Sequence, residues 1–326
     1  MINLFKYIKK LILPVSLLLI FFISVNLDSI KFYYHITREI IKLNSNLAVI
    51  ASNFYTEPVS EVSYKDIIYK SRDNIDLTLD IYTSKKEMEG GSPVIIYVFG
   101  DSWMYGNKNL PAELAPIIET LRKEGFTIIS TSYELLKTDA IFDKQISDIK
   151  DTIRWIYKNK DIYNFDTNNI GIVSPSAGSQ LSMIAAFSDN DMFIGDLSLS
   201  EYSSDISYVV DLFGPAELAK INVSLAPNEV AEKFSSYDID TIANLYSPIN
   251  YIKEDLPNTL IIHSMIDTIV PYNSSLKLFN EAKKKKNNFE FLSLDTCTHY
   301  LENLSTKEAI SLYFKILSFI YTNSSN

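Results

Sequence analysis

The fold of this chain is decided by residues 169–179, which read Asn-Ile-Gly-Ile-Val-Ser-Pro-Ser-Ala-Gly-Ser. An apolar strand runs into a tight turn that carries Ser176, and a helix begins at about that serine. The turn approximates the pattern G-x-S-x-G, in which a strained strand-to-helix corner exposes the serine hydroxyl. Gly178 keeps one of the two glycines that let strand and helix approach closely, while Ser174 replaces the other. Taken alone, the pattern also fits an ordinary turn.

The composition predicts a folded protein without a nucleic-acid partner. Of 326 residues, 47% are hydrophobic and 21% are charged, which is enough for one large domain with a full core. The formal net charge is -10, so no basic excess is available to neutralise phosphates. The single cysteine, Cys297, excludes an internal disulfide, and no Cys/His spacing predicts zinc. We therefore expect neither a cofactor nor a metal.

The N-terminus has the pattern of a membrane anchor. Lysines that end with Lys10 precede an uncharged, mostly apolar run over residues 11–27, and Asp28 follows it. The run is at the short end of the range for a membrane-spanning helix. No A-x-A-like cleavage site follows, which favours an uncleaved signal anchor over a cleaved signal peptide. The preceding lysines place the N-terminus in the cytoplasm and the remainder on the extracytoplasmic side, or in the medium if the segment is cleaved.

The remainder of the chain alternates strands with helices. We expect an anchor over residues 1–28, a stem over residues 29–58 and one α/β domain over residues 59–326. Alternation of this kind predicts right-handed crossovers and a mainly parallel, eight-stranded sheet with helices on both faces. A continuously apolar strand at residues 93–99 indicates burial on both sides of the sheet. The mixed segment at residues 214–256 predicts only a small cap.

The hydrophobic periods also predict where the individual elements lie. Besides the helix that begins at the serine, helices are expected at residues 112–124, 142–158, 272–284 and 306–321. Besides the strand of the opening motif, strands are expected at residues 67–69, 77–82, 93–99, 126–133, 208–213, 259–263 and 289–294.

Three histidines compete to be the general base that a serine nucleophile needs. His35 lies in the stem, His263 ends a predicted strand, and His299 follows the last predicted strand. Polar side chains converge beyond the carboxyl ends of parallel strands, where ligands bind in such sheets. The chain order of nucleophile, acid and base that belongs to a G-x-S-x-G turn selects Ser176, Asp267 and His299.

The acid has a rival in Asp295, which lies four residues before His299 and also follows a predicted strand. Asp267 ranks first because residues 263–271 match a pattern of the family named below. His263 is then interpreted as a structural residue that bonds within its own loop.

Five short motifs, in order and at matching spacing, resemble the α/β-hydrolase superfamily over about residues 60–320. They are L-D-x-Y at residues 79–82, H-G-G-G-W altered to Phe-Gly-Asp-Ser-Trp at residues 99–103 and followed by Gly106 and Lys108, G-x-S-A-G-G altered at residues 174–179, S-P-I at residues 247–249, and H-G-x-x-D-x-x-V-P with serine for the glycine at residues 263–271. The chain looks most like small esterases and lipases of the carboxylesterase or feruloyl-esterase kind.

The resemblance implies a serine hydrolase that cleaves a carboxylic ester, with a short acyl or acetyl group, through an acyl-enzyme. It also implies an oxyanion hole made of the backbone amides of Asp101, Ser102 and Ala177. Here Asp101 and Ser102 replace glycines, and Phe99 replaces a histidine that braces the loop. Asp101 therefore brings a negative charge near the position of a developing oxyanion.

Two other functions stay open at this point. The altered glycine loop favours a membrane-anchored pseudoenzyme that binds a ligand or partner, although the Ser, Asp and His residues argue for an enzyme. A peptidase of the prolyl-oligopeptidase kind would share the motifs, but this chain lacks the N-terminal propeller of that family. The expected partners are a small-molecule ester and a membrane. Tyr202, Phe213 and Tyr246 are candidates for lining an acyl pocket, although their spacing equally fits core positions.

Overall fold

A computed structural model of the chain describes residues 62–136 and 142–324, together with five helical residues between positions 30 and 38. The expected anchor at residues 11–27, most of the stem and His35 lie outside the described residues. Within the described residues, no helix is both long and apolar enough to cross a membrane. The anchor, the stem and their boundaries therefore stay predictions.

The described domain is built on an eight-stranded sheet. In chain order the strands are β1 (Tyr64–Arg72), β2 (Ile75–Tyr82), β3 (Ser92–Val98), β4 (Thr127–Thr131), β5 (Phe165–Pro175), β6 (Tyr208–Leu212), β7 (Asn258–Ser264) and β8 (Phe289–Leu294). Their spatial order is β1-β2-β4-β3-β5-β6-β7-β8. Strand β2 pairs antiparallel with β1 and β4, and the remaining neighbours are parallel. The mainly parallel sheet predicted from the alternation is confirmed.

Eight α-helices of the domain are described. They are α1 (Ala115–Lys123), α2 (Phe142–Lys158), α3 (Lys160–Tyr163), α4 (Ser176–Phe187), α5 (Asn228–Ser235), α6 (Ile239–Tyr246), α7 (Tyr272–Lys284) and α8 (Thr306–Ser324). The bounds predicted for α2 and α7 are confirmed, whereas α1 begins later than expected. A 3-10 turn at Ala112–Leu114 precedes it, since Pro116 in the first turn has no N–H to extend the α-helix backwards.

Helices cover both faces of the sheet. On one face, the hydroxyls of Thr120 in α1 and Tyr313 in α8 lie 2.7 Å apart. On the other face, apolar residues of α2 and α4 pack in one core cluster, and residues of α4 and α7 pack in a second. Every residue of β3 is buried, as expected for a strand between two helical layers.

Short elements fill the segment between β6 and β7. They are α5, α6 and 3-10 turns at Leu218–Lys220, Val223–Leu225 and Pro248–Tyr251. Phe234 of α5 packs on Trp103, with ring centroids 5.3 Å apart, so this small segment covers the loop that follows β3.

Two glycines allow the end of β3 to touch the turn that follows β5. A Cβ at Gly178 would lie 2.2 Å from the carbonyl oxygen of Phe99. A Cβ at Gly100 would lie 2.7 Å from the carbonyl oxygen of Pro175 and 3.3 Å from the Cβ of Ser176. The backbones are therefore in direct contact, and this contact places the loop after β3 beside Ser176.

We predict that Gly178→Ala destabilises the domain by about 3 kcal/mol, because the added methyl group meets backbone that cannot move aside cheaply. Chemical denaturation followed by circular dichroism measures the change. The matched control is Ser182→Ala in the same helix, where the buried hydroxyl has no hydrogen-bond partner among the described residues. Its loss is expected to change stability by less than about 1 kcal/mol. Equal stability of Gly178→Ala and the wild type would contradict the prediction.

Candidate active site

The turn between β5 and α4 has the geometry of a strained corner. Strand β5 ends at Pro175, helix α4 begins at Ser176, and the φ angle of Ser176 is +49°. A non-glycine residue adopts this left-handed conformation only at an energetic cost, and such residues cluster at functional sites. The corner turns the Ser176 hydroxyl toward the loops at the carboxyl ends of β7 and β8.

The structure brings the three predicted residues into one line of hydrogen bonds. The Ser176 Oγ lies 2.9 Å from the Nε2 of His299, and the Nδ1 of His299 lies 2.7 Å from the Oδ2 of Asp267. His299 comes from the loop after β8 and is 4% exposed, whereas Asp267 comes from the loop after β7. The rival acid, Asp295, is exposed, and its backbone amide donates to Glu308.

The carboxylate of Asp267 is held on both oxygens. Its Oδ1 accepts hydrogen bonds from the amides of Ile269 and Val270, both at 2.9 Å. Its Oδ2 lies 3.2 Å from the Nε2 of His263 as well as beside His299. Burial by itself raises the pKa of Asp267, but the hydrogen bonds from His263 and His299 hold that pKa well below its ordinary range.

His263 has a closer relation to the site than its sequence position indicated. It bonds within its own loop as expected, since Nε2 lies 3.0 Å from the carbonyl oxygen of Val270. It also contacts Asp267 directly, and its Nδ1 lies 2.9 Å from the Ser275 hydroxyl. Both oxygens near Nε2 are acceptors, so this nitrogen carries the hydrogen. The four-residue spacing between His263 and Asp267 is the signal that could have predicted the contact.

The loop after β3 adopts the conformation for which glycine is best suited. The φ angles of Asp101, Ser102 and Trp103 are +71°, +58° and +63°. This explains why the resembled family has glycines at the first two positions, and aspartate is among the residues that tolerate such angles. Ala177 is buried in the first turn of α4, where backbone amides have no partner within the helix.

Tyr133 braces the loop after β3. In the resembled family a histidine at the position of Phe99 has this role. Its hydroxyl lies 3.1 Å from the carbonyl oxygens of both Phe99 and Gly100. Its ring stacks on Phe99, with centroids 4.3 Å apart and planes 11° apart. No sequence pattern predicts this role of Tyr133, because the residue follows β4 and no motif connects it with the loop.

A buried ion pair ties the far end of this loop to β2, which is separated from β3 by β4 in the sheet. The Lys108 ammonium lies 2.5 Å from Asp80 in β2 and 2.8 Å from Asp66 in β1. Burial alone lowers the pKa of Lys108, but the hydrogen bonds to the two carboxylates raise it above its ordinary value. Asp80 and Lys108 both belong to the motifs of the resemblance, and the ion pair explains why they occur together.

A second buried carboxyl group lies beneath the corner. The Oδ1 of Asp211 accepts hydrogen bonds from the Ser179 hydroxyl at 2.6 Å and from the amide of Gly214 at 2.7 Å. Its Oδ2 is buried and, among the described residues, has no hydrogen-bond partner. Burial raises the pKa of Asp211 to about 6, although these hydrogen bonds oppose the shift.

Of the three candidates for an acyl pocket, only Phe213 borders the site, with its ring centroid 5.0 Å from that of His299. Tyr246 packs against Phe142 in the core, and its hydroxyl donates to Asp143 at 2.8 Å. Tyr202 precedes β6 and so lies at the amino-terminal edge of the sheet, opposite Ser176. Its side chain is therefore far from the site, because strand direction decides the edge at which a loop lies.

No metal site is found in the part of the chain that the structure describes: no group of three or more His, Cys, Asp or Glu side chains could hold an ion. The expectation that the protein needs no metal or cofactor stays a prediction. The hydrogen-bonded Ser, His and Asp residues and the sheet that positions them define the class of the α/β-hydrolases. The BD-FAE family model matches residues 79–282, more than half of the chain, and the chain belongs to this family within the esterase group of that class.

Two curated relatives come from Mycobacterium tuberculosis (strain ATCC 25618 / H37Rv). Esterase LipC is 25% identical over 202 residues, which are 59% of this chain and 49% of LipC. The protein named "Probable carboxylic ester hydrolase LipM" is 21% identical over 242 residues, which are 72% of this chain and 55% of LipM. The chain thus spans about half the length of these relatives.

Solved structures have the same fold. A truncated carbohydrate esterase from gut microbiota superposes with a TM-score of 0.67 and 26% identity, over 83% of this chain and all of its own. Esterase 2 of Thermogutta terrifontis with butyrate bound superposes with a TM-score of 0.66 and 21% identity, over 81% of this chain and 96% of its own.

We predict that the buried Asp211 carboxyl makes stability depend on pH between about 4 and 6. In the folded state the pKa of Asp211 is about 6, which lies above its value in the unfolded chain. Protonation of this carboxyl therefore stabilises the fold, and the full stabilisation is present below about pH 4. That contribution is lost as the pH rises through 6. Relative to Asp211→Asn, the wild type should lose up to about 3 kcal/mol across this window in denaturant titrations. Parallel stability curves for the two proteins would refute the prediction.

Proposed function

We propose that the protein hydrolyses carboxylic esters, with Ser176 as the nucleophile, His299 as the general base and Asp267 as the residue that orients the imidazole. The observation that carries the proposal is the line of hydrogen bonds from Ser176 through His299 to Asp267, 2.9 Å and 2.7 Å long, at a strained corner. A serine is a poor nucleophile unless a base lies within hydrogen-bond reach.

The reaction takes place in two halves. As the Ser176 Oγ attacks the ester carbonyl carbon, its proton moves to the Nε2 of His299. When the tetrahedral intermediate collapses, the bond to the alcohol breaks and the alcohol takes that proton. Water then attacks the acyl-enzyme by the same route and releases the acid. Asp267 accepts a hydrogen bond from the Nδ1–H of His299 throughout, which leaves Nε2 free to receive the proton.

The oxyanion is stabilised by the backbone amides of Ala177, Asp101 and Ser102, and each such donor is typically worth about 3 kcal/mol. Their side chains do not block this role, because the positive φ angles of Asp101 and Ser102 give the loop the backbone shape that glycines would give it. The close approach of Gly100 to Pro175 and Ser176, which leaves no room for a Cβ at Gly100, keeps the loop beside the nucleophile.

The substrate is a small ester with a short acyl group. The segment between β6 and β7 contains only two short helices and 3-10 turns, and Phe213 stands against the His299 ring. Names of related proteins support this class: LipC is called an esterase, a structural relative is a carbohydrate esterase, and another has butyrate bound.

We predict that Ser176→Ala and His299→Ala lower kcat for p-nitrophenyl butyrate by about 10⁴-fold or more, and that Asp267→Asn lowers it by about 10³- to 10⁴-fold. The full chain in detergent is assayed. Ser174→Ala is the matched control, because its buried hydroxyl lies two residues from the nucleophile and has no hydrogen-bond partner within the described residues.

Retention of activity in Ser176→Ala would overturn the assignment of the nucleophile. Labelling of the wild type, but not of Ser176→Ala, by a fluorophosphonate distinguishes an enzyme from a pseudoenzyme. A peptidyl p-nitroanilide that is cleaved faster than the ester would favour the peptidase instead.

The same proposal includes a location, which rests on the sequence: residues 11–27 anchor the chain in a membrane, with the domain on the extracytoplasmic side. We predict that the full chain stays with membranes during alkaline carbonate extraction. A chain that begins at residue 59 is the control and should be released. Protease added to intact cells should reach the domain of the full chain. Release of the full chain by carbonate would contradict the anchor.

A further inference from the structure

An exposed carboxylate stands beside the proposed nucleophile. Asp101 directly follows Gly100, at which an added Cβ would lie 3.3 Å from the Cβ of Ser176. Asp101 is exposed, so its carboxylate is open to solvent in the loop that borders Ser176. The positive φ angle of this residue suits glycine, so the backbone shape of the loop does not require a carboxylate.

A negative charge at this position opposes the reaction of a neutral ester. The transition state develops negative charge on the carbonyl oxygen, and a nearby carboxylate repels it. A positive charge carried by the substrate would neutralise the carboxylate and remove this penalty. Asp101 can therefore select substrates by their charge.

A second carboxylate is linked to the loop that contains Asp101. Glu229 of α5 accepts a hydrogen bond from the Tyr105 hydroxyl at 2.5 Å, and the Tyr105 amide donates to the carbonyl oxygen of Asp101. Within residues 62–136 and 142–324, neither Asp101 nor Glu229 forms an ion pair. The hydrogen bond to Glu229, followed by burial and the charges of Glu229 and Asp101, raises the pKa of Tyr105. Asp101 and Glu229 thus both bring negative charge near Tyr105.

An exposed aromatic ring lies beside the proposed general base. Tyr300 is 67% exposed, and its ring stands edge-on to His299 with centroids 5.2 Å apart. Asp101 follows Gly100, which lies against Ser176, and Tyr300 lies against His299, so the two residues flank the hydrogen-bonded pair of Ser176 and His299. Burial and then the charge of Asp101 raise the pKa of Tyr300. A carboxylate and an open aromatic face together are the groups that bind organic cations in proteins.

The position of His299 decides whether the alcohol or the acyl group of the ester lies beside Asp101 and Tyr300. The leaving alcohol takes its proton from the Nε2 of His299, so the alcohol must lie on the His299 side of the scissile bond. Tyr300 borders the same side. A cation held between Asp101 and Tyr300 therefore belongs to the alcohol and not to the acyl group.

We propose that the protein prefers esters of cationic amino alcohols, whose ammonium group binds between the Asp101 carboxylate and the Tyr300 ring. This inference rests on the proposed ester hydrolysis. The chemistry is unchanged: the carbonyl-to-alkoxy bond breaks, water supplies the hydroxyl of the acid and the proton of the alcohol, and the ammonium group keeps its charge.

The experiment compares two esters that differ only in charge. Butyrylcholine and 3,3-dimethylbutyl butyrate have the same shape, but a carbon atom replaces the ammonium nitrogen in the second. For the full chain in detergent, kcat/KM should be about tenfold higher for butyrylcholine at low salt. The preference should shrink as the salt concentration rises, because salt screens exposed charges.

Asp101→Asn removes the charge but keeps the shape and the tolerance of positive φ. In this variant the preference should fall to within about twofold, partly because the neutral ester reacts faster. Asp295→Asn, which makes the same change on an exposed carboxyl in the loop after β8, is the control and should keep the wild-type preference.

The outcomes separate this inference from the proposed function. Equal kcat/KM for the two esters, or a preference that survives Asp101→Asn, overturns the cationic alcohol and leaves ester hydrolysis in place. Activity on p-nitrophenyl butyrate but on neither alkyl ester also overturns it. Inactivity on all three esters overturns the proposed function, and the inference with it.

Discussion

The backbone contact between the end of β3 and the first turn of α4 is the constraint on which the site depends. A Cβ at Gly178 or Gly100 would lie within 2.7 Å of a carbonyl oxygen of the opposing segment, so only glycine permits the contact. The contact sets the loop after β3 next to Ser176. The neighbouring supports, the Tyr133 hydroxyl and the ion pair of Lys108 with Asp80, hold the same loop from its other sides.

The two carboxyl groups near the corner are both buried, but their pKa values shift in opposite directions. Asp267 accepts four hydrogen bonds, two from amides and two from histidines, so its charge is compensated although its side chain is buried. Asp211 leaves one buried oxygen without a partner among the described residues, and burial raises its pKa to about 6. The number of donors, and not burial alone, decides whether a carboxylate stays charged.

Local pattern was sufficient for most of the fold. Helices α2 and α7 have the predicted bounds because their apolar residues repeat at the helical period without interruption. The start of α1 was missed because Pro116 limits the hydrogen bonds of its first turn. Tyr202 was a poor candidate for the pocket because residue type alone does not reveal which edge of the sheet a loop occupies. Tyr133 and Asp211 were missed because each depends on packing between separate segments. The contact of His263 with Asp267 lies within one segment, and their four-residue spacing could have predicted it.

The sequence by itself determined the class of fold, the family motifs and the chain order of Ser176, Asp267 and His299, because periodicity and short turns are local properties. It also carries the pattern of the expected anchor, which lies outside the described residues. Only the tertiary structure decided that Asp267 and not Asp295 contacts His299, that Tyr133 braces the loop, and that Asp101 and Tyr300 lie in loops that border Ser176 and His299. Hydrogen bonds and charges act over a few ångströms in space, whatever the separation along the chain.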